Sequence, residues 1–455
     1  MPSNETIVAL STPPGRSGIG VIRLSGLRAL ALTRTLLADE DFSPEPNRVS
    51  LKTIREPESA EMLDRALITY FKTPHSFTGE DIVELSCHGS PTLLLQVVDV
   101  LLRLGARAAD PGEFTLRALS NGRLSLSQAE AVRDLIDAQT QAAVKQAARQ
   151  LGGELSARLQ PVKDALLELI VPLESSLEFV EDDLPENVTR HVEQLLSELV
   201  RQLEELASTF RTGRLLRDGL RVTFAGRPNV GKSSIFNKLL ASDRAIVTEL
   251  PGTTRDSLSE LTSIEGVPVL LTDTAGVRES TDKIEQLGIE RTRRAIVDAE
   301  LVVVVLDGSE PLTPEDEDVL AQVAESLHLL ALNKSDLDTF SLNNAPVSSN
   351  AVQTVAVSAR TGDGIKELRA AIMEPFTTHG AQDSGFLITN ARHYDLLRRS
   401  VESLRSSETL LRARASEELL LVGLYDALRY LGEITGETTP DDVLSQIFAT
   451  FCIGK

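Results

Sequence analysis

The spacing of apolar residues divides the chain into three regimes. Up to about residue 120, short β-like runs alternate with turns and a few helices. Ile19–Leu24 and Asp81–Cys87 read as strands, and Thr92–Leu104 as a leucine-rich helix ending at Gly105. Pro13-Pro14-Gly15 and Pro111-Gly112 punctuate this stretch. The segment Asp41–Glu61, with Pro44, Pro46 and Pro57, is expected to be a surface loop. From about Ser125 to Leu216 the pattern becomes helical. Ser127-Gln128-Ala129-Glu130 fits a capping box, in which the Ser side chain accepts from a helix-start N–H and the Glu reaches back. Leu155, Leu159, Val162, Leu166, Leu169 and Ile170 then recur at three-and-four spacing. Long helices with little between them predict a bundle. From Leu220 to about Pro375, β runs and helices alternate. Leu301–Leu306 is continuously apolar, the pattern of a central parallel strand buried on both faces. A polar linker around Thr377–Ser384 follows, and helices resume from about Asn390 to Leu431. The economical interpretation is one helical domain interrupted by an inserted α/β domain, although the pattern alone does not bring the two helical halves together.

Composition sharpens this outline. A chain of 455 residues predicts roughly three domains at about 150 residues each. With 42% hydrophobic residues, no Trp and abundant Leu and Ala, ordinary cores and much helix are expected. Two cysteines, Cys87 and Cys452, imply no disulfide framework and fit a reducing cytoplasm. No apolar run approaches the ~20 residues of a membrane span. Met1–Leu10 lacks the basic region and apolar core of a secretion signal, so a cytoplasmic location is expected. The net charge of −21 argues against indiscriminate nucleic-acid binding but leaves room for a local basic patch, or for a second protein that supplies the positive surface. Arg211, Arg214, Arg217 and Arg221, or Arg392, Arg398 and Arg399, could contact phosphates or simply decorate helix surfaces.

The candidate chemistry begins at residues 226–233, Gly-Arg-Pro-Asn-Val-Gly-Lys-Ser, a G-x-x-x-x-G-K-[ST] phosphate loop between an apolar run (Leu220–Ala225) and a helical segment (Ser234–Leu240). Gly226 and Gly231 let backbone N–H groups face an anion, and the helix offers its positive end. Asn229, Val230, Gly231, Lys232, Ser233 and Ser234 are therefore candidate GTP contacts, with Lys232 on the outer phosphates and the Ser233 hydroxyl on Mg²⁺. Gly252-Thr253-Thr254-Arg255-Asp256 follows, and Thr254 is the expected switch residue and second Mg²⁺ ligand. Asp273-Thr274-Ala275-Gly276 comes after the apolar Val267–Leu271: Asp273 would hold Mg²⁺ through water and the Gly276 N–H would meet the γ-phosphate. Asn333-Lys334-Ser335-Asp336 follows Leu329–Leu332, and the Asp336 carboxylate can accept from the ring N–H and exocyclic amine of guanine. Adenine presents the wrong donors, so GTP is selected over ATP. Ser358-Ala359-Arg360, after Val355–Val357, would complete the base pocket through backbone contact. In this order the motifs define a GTPase domain resembling the translation-factor-like G proteins.

The residue after Asp-x-x-Gly is Val277, where Ras-like switches often carry the Gln that orients water. Either hydrolysis is very slow or another group does this work, and transition-state charge must also be met; a supplied arginine is worth roughly 10³–10⁵ in rate elsewhere. Asn229 is either a polar turn residue or the holder of a monovalent cation in that role.

With these motifs placed, the chain resembles, from end to end, the MnmE (TrmE) family of bacterial and organellar tRNA-modification GTPases. The resemblance rests on Thr12-Pro13-Pro14-Gly15-Arg16, Phe77-Thr78-Gly79-Glu80-Asp81, Pro111-Gly112-Glu113-Phe114, the inserted G domain and the terminal Phe451-Cys452-Ile453-Gly454-Lys455. It implies a multidomain fold: an α+β N-terminal dimerisation and folate-binding domain (1–122), an α-helical bundle domain in two halves (123–217 and 377–455), and an inserted α/β P-loop GTPase domain of Ras-like type (218–376). It implies a homodimer working with the flavoprotein MnmG (GidA), in a heterotetramer or larger, on tRNA. There the pair would install an aminomethyl or carboxymethylaminomethyl group at carbon 5 of the wobble uridine. A 5,10-methylene- or 5-formyl-tetrahydrofolate would supply the carbon, and FAD and NADH would act through the partner only.

Carried over by motif, Asn229, Thr248, Leu250 and Thr253 would hold K⁺, within a loop whose Thr248, Glu249, Leu250, Pro251, Gly252 and Thr253 also border GTP. The catalytic carboxylate would be Glu285, orienting water in place of the absent Gln. Arg23, Glu80, Arg123 and Lys455 match the folate positions; Arg and Lys suit carboxylates, and a Glu suits pterin N–H groups. Cys452 would be either a packing residue or a nucleophile toward uridine, although no general base stands beside it in sequence, while Cys87 reads as a small buried strand residue. The alternative class is a ribosome-assembly-type GTPase switch. Such relatives usually append a basic RNA-binding domain, whereas here acidic helices bracket the G domain.

Overall fold

Alternation of apolar and polar residues builds the first of two six-stranded sheets, in the order β3-β4-β5-β2-β1-β6. Its strands are β1 (Ile7–Leu10), β2 (Ile19–Ser25), β3 (Val49–Arg55), β4 (Met62–Phe71), β5 (Ile82–His88) and β6 (Arg107–Ala108). Only β1 and β6 pair in parallel. Ile22 and Leu24 of β2 and Leu85 of β5 bury against Leu36 of α1 (Ala29–Leu37) and Val97 and Leu101 of α2 (Pro91–Arg103). The period of two sends Arg23 to the opposite face. The computed structural model describes residues 5–178, 186–242, 258–273, 293–346, 350–376, 385–439 and 441–454. Two compact units result, one comprising Met1–Arg133, Gln150–Asp164 and Leu428–Lys455, the other Asp134–Arg149 and Ala165–Ala427.

Two local expectations need correction in the first unit. The supposed loop Asp41–Glu61 contains strand β3. Its three prolines flank the strand rather than interrupt it, and β3 is an edge strand of which only Ile54 is fully buried. A marginally amphipathic edge gives little apolar signal. The capping box is real but starts two residues earlier. α3 (Glu113–Ser120) is followed by α4 (Leu126–Asp137), so Ser127 lies inside α4. Ser125 is the capping residue: its Oγ accepts from Gln128 N at 3.3 Å and its own N–H donates to Gln128 Oε1 at 2.9 Å. Ser125-x-x-Gln128 satisfies the same reciprocal geometry.

α5 (Gln141–Leu151) leads to α6 (Glu154–Glu178), whose Leu155, Leu159, Val162, Leu166, Leu169 and Ile170 are all buried, as their spacing predicts. In the second unit, α7 (Glu186–Ser208) and α8 (Phe210–Asp218) precede a sheet of order β12-β11-β10-β7-β9-β8. Its strands are β7 (Leu220–Ala225), β8 (Leu258–Ile264), β9 (Val267–Asp273), β10 (Leu301–Asp307), β11 (His328–Asn333) and β12 (Ala351–Ala356). β8 and β9 form an antiparallel pair; the other pairings are parallel. Every residue of β10 is buried, as its apolar run predicts, between β7 and β11. Helices α9 (Lys232–Ser242), α10 (Pro314–Val323) and α11 (Ile365–Met373) alternate with the strands.

The expected linker Thr377–Ser384 lies outside the described residues. Beyond it, α12 (Ala391–Arg412) packs beside α7, with Arg412 Nε 2.8 Å from Glu193 Oε1 and Ser197 Oγ donating to Glu408 Oε1 at 2.7 Å. Helices before and after the α/β part thus meet, which the pattern alone did not give. α13 (Glu417–Thr435) and α14 (Asp441–Phe448) complete the chain. Phe448 and Phe451 bury against Leu126 and Ala129 in the first unit. A Cβ on Gly112 (φ +70°) would lie 2.9 Å from the Phe448 carbonyl, so the Pro111-Gly112 turn needs its glycine.

Candidate functional site

The phosphate loop runs from the end of β7 to the start of α9. A Cβ on Gly226 (φ +149°) would lie 2.4 Å from the Val305 carbonyl oxygen, and one on Gly231 (φ +98°) 2.1 Å from Asn333 Nδ2. The loop closes on the ends of β10 and β11 only because both residues are glycine. Asn229 is exposed and holds φ +61°, a left-handed conformation that Asn tolerates better than most residues. Lys232 is buried, and its ammonium donates to the Gly226 and Arg227 carbonyls at 2.9 and 2.8 Å. Ser233 Oγ donates to Asp273 Oδ2 at 2.6 Å. The two residues expected at Mg²⁺, 40 positions apart in sequence, therefore meet at one point. A hydroxyl and a carboxylate are hard oxygen donors of the kind Mg²⁺ prefers, and the ion usually completes its shell from phosphate and water. Val230 is buried behind the loop, whereas Ser234 is exposed on the first turn of α9.

At the base end, buried Asn333 ties two loops together. Its Nδ2 donates to the Val230 carbonyl at 2.7 Å and its Oδ1 accepts from Ala359 N at 3.0 Å. Asp336 Oδ1 accepts from Ser358 Oγ at 2.6 Å, and Oδ2 lies 2.6 Å from Arg360 Nη2. The Ser358 hydrogen bond, with the Arg360 charge, holds the Asp336 carboxyl below its ordinary value. Lys334 has φ +65° and pairs with Asp307 at the end of β10. Burial would raise the Asp307 carboxyl, but hydrogen bonds from Lys334 and Ser309 outweigh it and hold the group low.

Sequence reasoning missed Asp307 and also the anchor of the phosphate loop. Arg227 Nε lies 3.1 Å from Asp316 Oδ2, and Arg227 also pairs with Glu310. Asp316 forms the capping box of α10 with Thr313. Thr313-Pro314-Glu315-Asp316 carries that signal in the sequence. Thr248, Glu249, Leu250, Pro251, Gly252, Thr253, Thr254, Thr274, Ala275, Gly276 and Glu285 lie outside the described residues, as does Lys455.

A second constellation forms on the first sheet. Arg23 on β2 faces Glu84 on β5 directly, with Nη2 2.7 Å from Oε1. Its guanidinium carbon stands 5.8 and 5.7 Å from the ring centroids of Phe77 and Phe114. Arg23 Nη1 also donates to the Gly454 carbonyl at 3.4 Å, and Ser11 Oγ donates to the same oxygen at 3.2 Å. Glu80 accepts from Ser25 Oγ at 2.7 Å and from Arg117 Nη1 at 3.0 Å. Arg117, only 2% exposed, is paired on its other side with Glu113. Arg123 is exposed beside Gly79, where an added Cβ would come 3.3 Å from its Cγ. Arg23, Glu80 and Arg123 thus share one region with the C-terminal segment. Cations, carboxylates and two aromatic rings there suit a flat heterocycle with N–H edges and an anionic tail. Glu84, Arg117 and the Gly454 carbonyl were not foreseen: Glu84 and Arg117 lie just beyond the motifs at 77–81 and 111–114, and Gly454, inside the C-terminal motif, contributes its backbone rather than a side chain.

The arginines considered for tRNA are mostly engaged. Arg214 pairs with Glu300 at 2.8 Å, Arg217 with Asp134 at 2.9 Å and Arg399 with Asp395 at 2.7 Å, while Arg211 donates to the Pro375 carbonyl. Cys87 is buried in β5, and burial, with nearby Asp64, pushes its thiol up to about 12. Cys452 is exposed. No described helix is long and apolar enough to cross a membrane.

A phosphate loop, a hydrogen-bonded Ser–Asp pair at its end and an Asn-Lys-x-Asp motif, on a largely parallel sheet with interleaved helices, define a GTP-binding P-loop enzyme, here joined to an α+β N-terminal unit and long helices. The family model described as GTP-binding protein TrmE N-terminus matches residues 6–123, and that of the MnmE helical domain matches 126–452. The chain is 46% identical to the tRNA modification GTPase MnmE of Koribacter versatilis (strain Ellin345), with 99% of each chain covered. It is 44% identical to that of Chloroflexus aurantiacus (strain ATCC 29366 / DSM 635 / J-10-fl), over 99% of this chain and 100% of the relative. It is 41% identical to that of Aquifex aeolicus (strain VF5), again over 99% and 100%. The chain belongs to the MnmE family of tRNA modification GTPases.

Proposed function

We propose that this enzyme is a K⁺-activated GTPase that acts with the flavoprotein MnmG (GidA) on the wobble uridine of certain tRNAs. Together they add an aminomethyl or carboxymethylaminomethyl group to carbon 5. One observation carries the proposal beyond GTP hydrolysis: besides its guanine-nucleotide framework, the chain builds a separate charged and aromatic cluster around Arg23, joined by the Gly454 carbonyl of its own C-terminal segment. A GTPase switch in ribosome assembly has no need of that second cluster.

In this proposal Asn229, Val230, Gly231, Lys232 and Ser233 cradle the phosphates, Lys232 neutralises the outer ones, and Asp336 accepts from guanine. Ser233 and Thr254 hold Mg²⁺, with Asp273 reaching it through water, and the ion supplies charge neutralisation when bound. Asn229, Thr248, Leu250 and Thr253 hold K⁺ where two G domains meet, and Glu285 orients the attacking water. Arg23, Glu80, Arg123 and Lys455 hold the tetrahydrofolate, the source of the one-carbon unit. Redox chemistry stays with FAD and NADH on the partner. The working assembly is a homodimer joined by MnmG in the cytoplasm, and hydrolysis drives closing and opening of the G domains. The domain limits that go with this are 1–122, 123–217, 218–376 and 377–455.

Nucleoside analysis of tRNA from a deletion strain tests the whole proposal. Loss of the carbon-5 substituent from wobble uridine is expected, and intact modification overturns it. For the cation, GTP turnover should be much faster in K⁺ than in Na⁺, and equal rates would remove K⁺ from the proposal.

A further inference from the structure

The carboxylate that would read guanine already has a guanidinium on it. Asp336 Oδ2 lies 2.6 Å from Arg360 Nη2, while Oδ1 accepts from Ser358 Oγ. Guanine would present its N1–H and exocyclic N2–H groups to this carboxylate. That edge is itself a guanidine, so Arg360 offers Asp336 the same kind of planar N–H donor. Ser358 does not conflict with the base, because an ionised carboxylate has about four lone-pair sites. Arg360 does conflict, because its planar group stands on the oxygen that the base edge must approach. The Arg360 side chain is 72% exposed, against 11% for Asp336. The loop beneath it is held by other atoms: Ala359 N on Asn333 Oδ1 and Thr361 N on Ser358 Oγ. The side chain can therefore leave without disturbing the pocket wall.

We propose that Arg360 competes with guanine for Asp336 and so sets the rate of nucleotide capture. The proposal rests on Asp336 as the guanine acceptor. Only the fraction of molecules in which Arg360 has swung away can take up the base, and apparent affinity falls by that fraction. Exposed ion pairs are weak, so the expected effect is about two- to five-fold.

The test is stopped-flow binding of ribose-labelled GDP to the full chain stripped of nucleotide. Arg360→Gln, which keeps length but not charge, should raise the association rate about two- to five-fold and leave the dissociation rate unchanged. Raising salt from 0.05 to about 1 M should close the gap, because screening weakens the pair in the wild type. An association rate that is unchanged or lower overturns the proposal, as does a gap that persists in high salt. A change confined to dissociation overturns it too, since that would put Arg360 on the bound base. A parallel variant isolates the underlying assumption. Xanthine carries a carbonyl where guanine has its amine, so Asp336→Asn should bind xanthosine diphosphate in preference to GDP. If it does not, Asp336 is not the base acceptor and the proposal falls with it; if it does, failure of Arg360→Gln counts against Arg360 alone.

Discussion

The nucleotide site and the cluster around Arg23 are both made of charged side chains, yet they are held in opposite ways. At the nucleotide site the framework is backbone. Gly226 and Gly231 permit a close approach that no Cβ would allow, and buried Asn333 fastens one loop to another through the Val230 carbonyl and the Ala359 N–H. The charges are added to a shape that already exists. On the first sheet the charges are themselves the framework: Glu80, Arg117 and Glu113 form an alternating chain, with Arg117 at the middle and buried. Charge removal at the first site should cost chemistry, and at the second it should cost folding.

The largest effect expected from that contrast is catalytic. Glu285→Ala should lower GTP turnover by about 10²–10⁴-fold, the range for loss of a positioned acid or base. Nucleotide affinity should stay near normal, because the contacts argued for binding come from the phosphate loop and Asp336. Turnover and labelled-nucleotide titration on the same preparation decide it. If affinity collapses with turnover, Glu285 is part of the binding framework and the contrast fails on the nucleotide side.

Next in size is a stability effect at the other site. Arg117→Ala leaves Glu80 and Glu113 facing a gap at a position only 2% exposed. Breaking a buried pair from one side costs about 3–5 kcal/mol. Denaturant unfolding followed in the first unit should show that loss. The pH dependence should change as well. Burial raises the Glu113 carboxyl, but hydrogen bonds from Arg107, the Asp110 N–H and Arg117 outweigh it and leave the group below its ordinary value. A depressed carboxyl stabilises the fold above its unfolded value and loses that contribution as pH falls through the folded one. The wild type should therefore lose stability on acidification more steeply than Arg117→Ala. Parallel acid profiles, or a loss under about 1 kcal/mol, would mean that shape rather than charge holds this site together too.

The same contrast explains what could be read from the sequence. The nucleotide site was legible because each part is local: a loop of eight residues at 226–233, then Asp273, then Asn333 to Asp336, each at the end of an apolar strand. β10, with every residue apolar or at its terminal Asp and all buried, fixed the parallel sheet in advance. The first sheet's cluster joins residues 23, 80, 84, 117 and 454, brought together by register and by a returning C-terminus. No periodicity encodes that meeting, so Arg23 and Glu80 came only through family resemblance, and Arg117 and Glu84 not at all. Strand β3 was missed for a related reason: an edge strand with one fully buried residue looks like a loop between prolines. Arg227 lies within the phosphate-loop motif, but its partner Asp316 is 89 residues away.

The smallest prediction asks whether the stability effect in the first unit belongs to the charges or to the helices that carry them. Ser125 caps α4 with a reciprocal pair of hydrogen bonds to Gln128, close in sequence to Arg117 but without any charge. Ser125→Ala removes the side-chain acceptor for the Gln128 N–H and should cost about 1 kcal/mol, the usual value for an N-cap. Ser127→Ala should do less to the helix start, because Ser127 Oγ accepts no helix-start N–H and instead lies 3.1 Å from Ser125 Oγ. Measured by the same denaturant unfolding, the Ser125 effect should be independent of pH across the carboxylate range, since no ionisable group takes part in the cap. If Ser125→Ala instead reproduces both the size and the acid sensitivity of Arg117→Ala, then the start of α4 and the buried charges unfold as one element. The alternating chain would then owe its stability to helix packing, and the opposition between a backbone-built site and a charge-built one would reduce to a difference in helix anchoring.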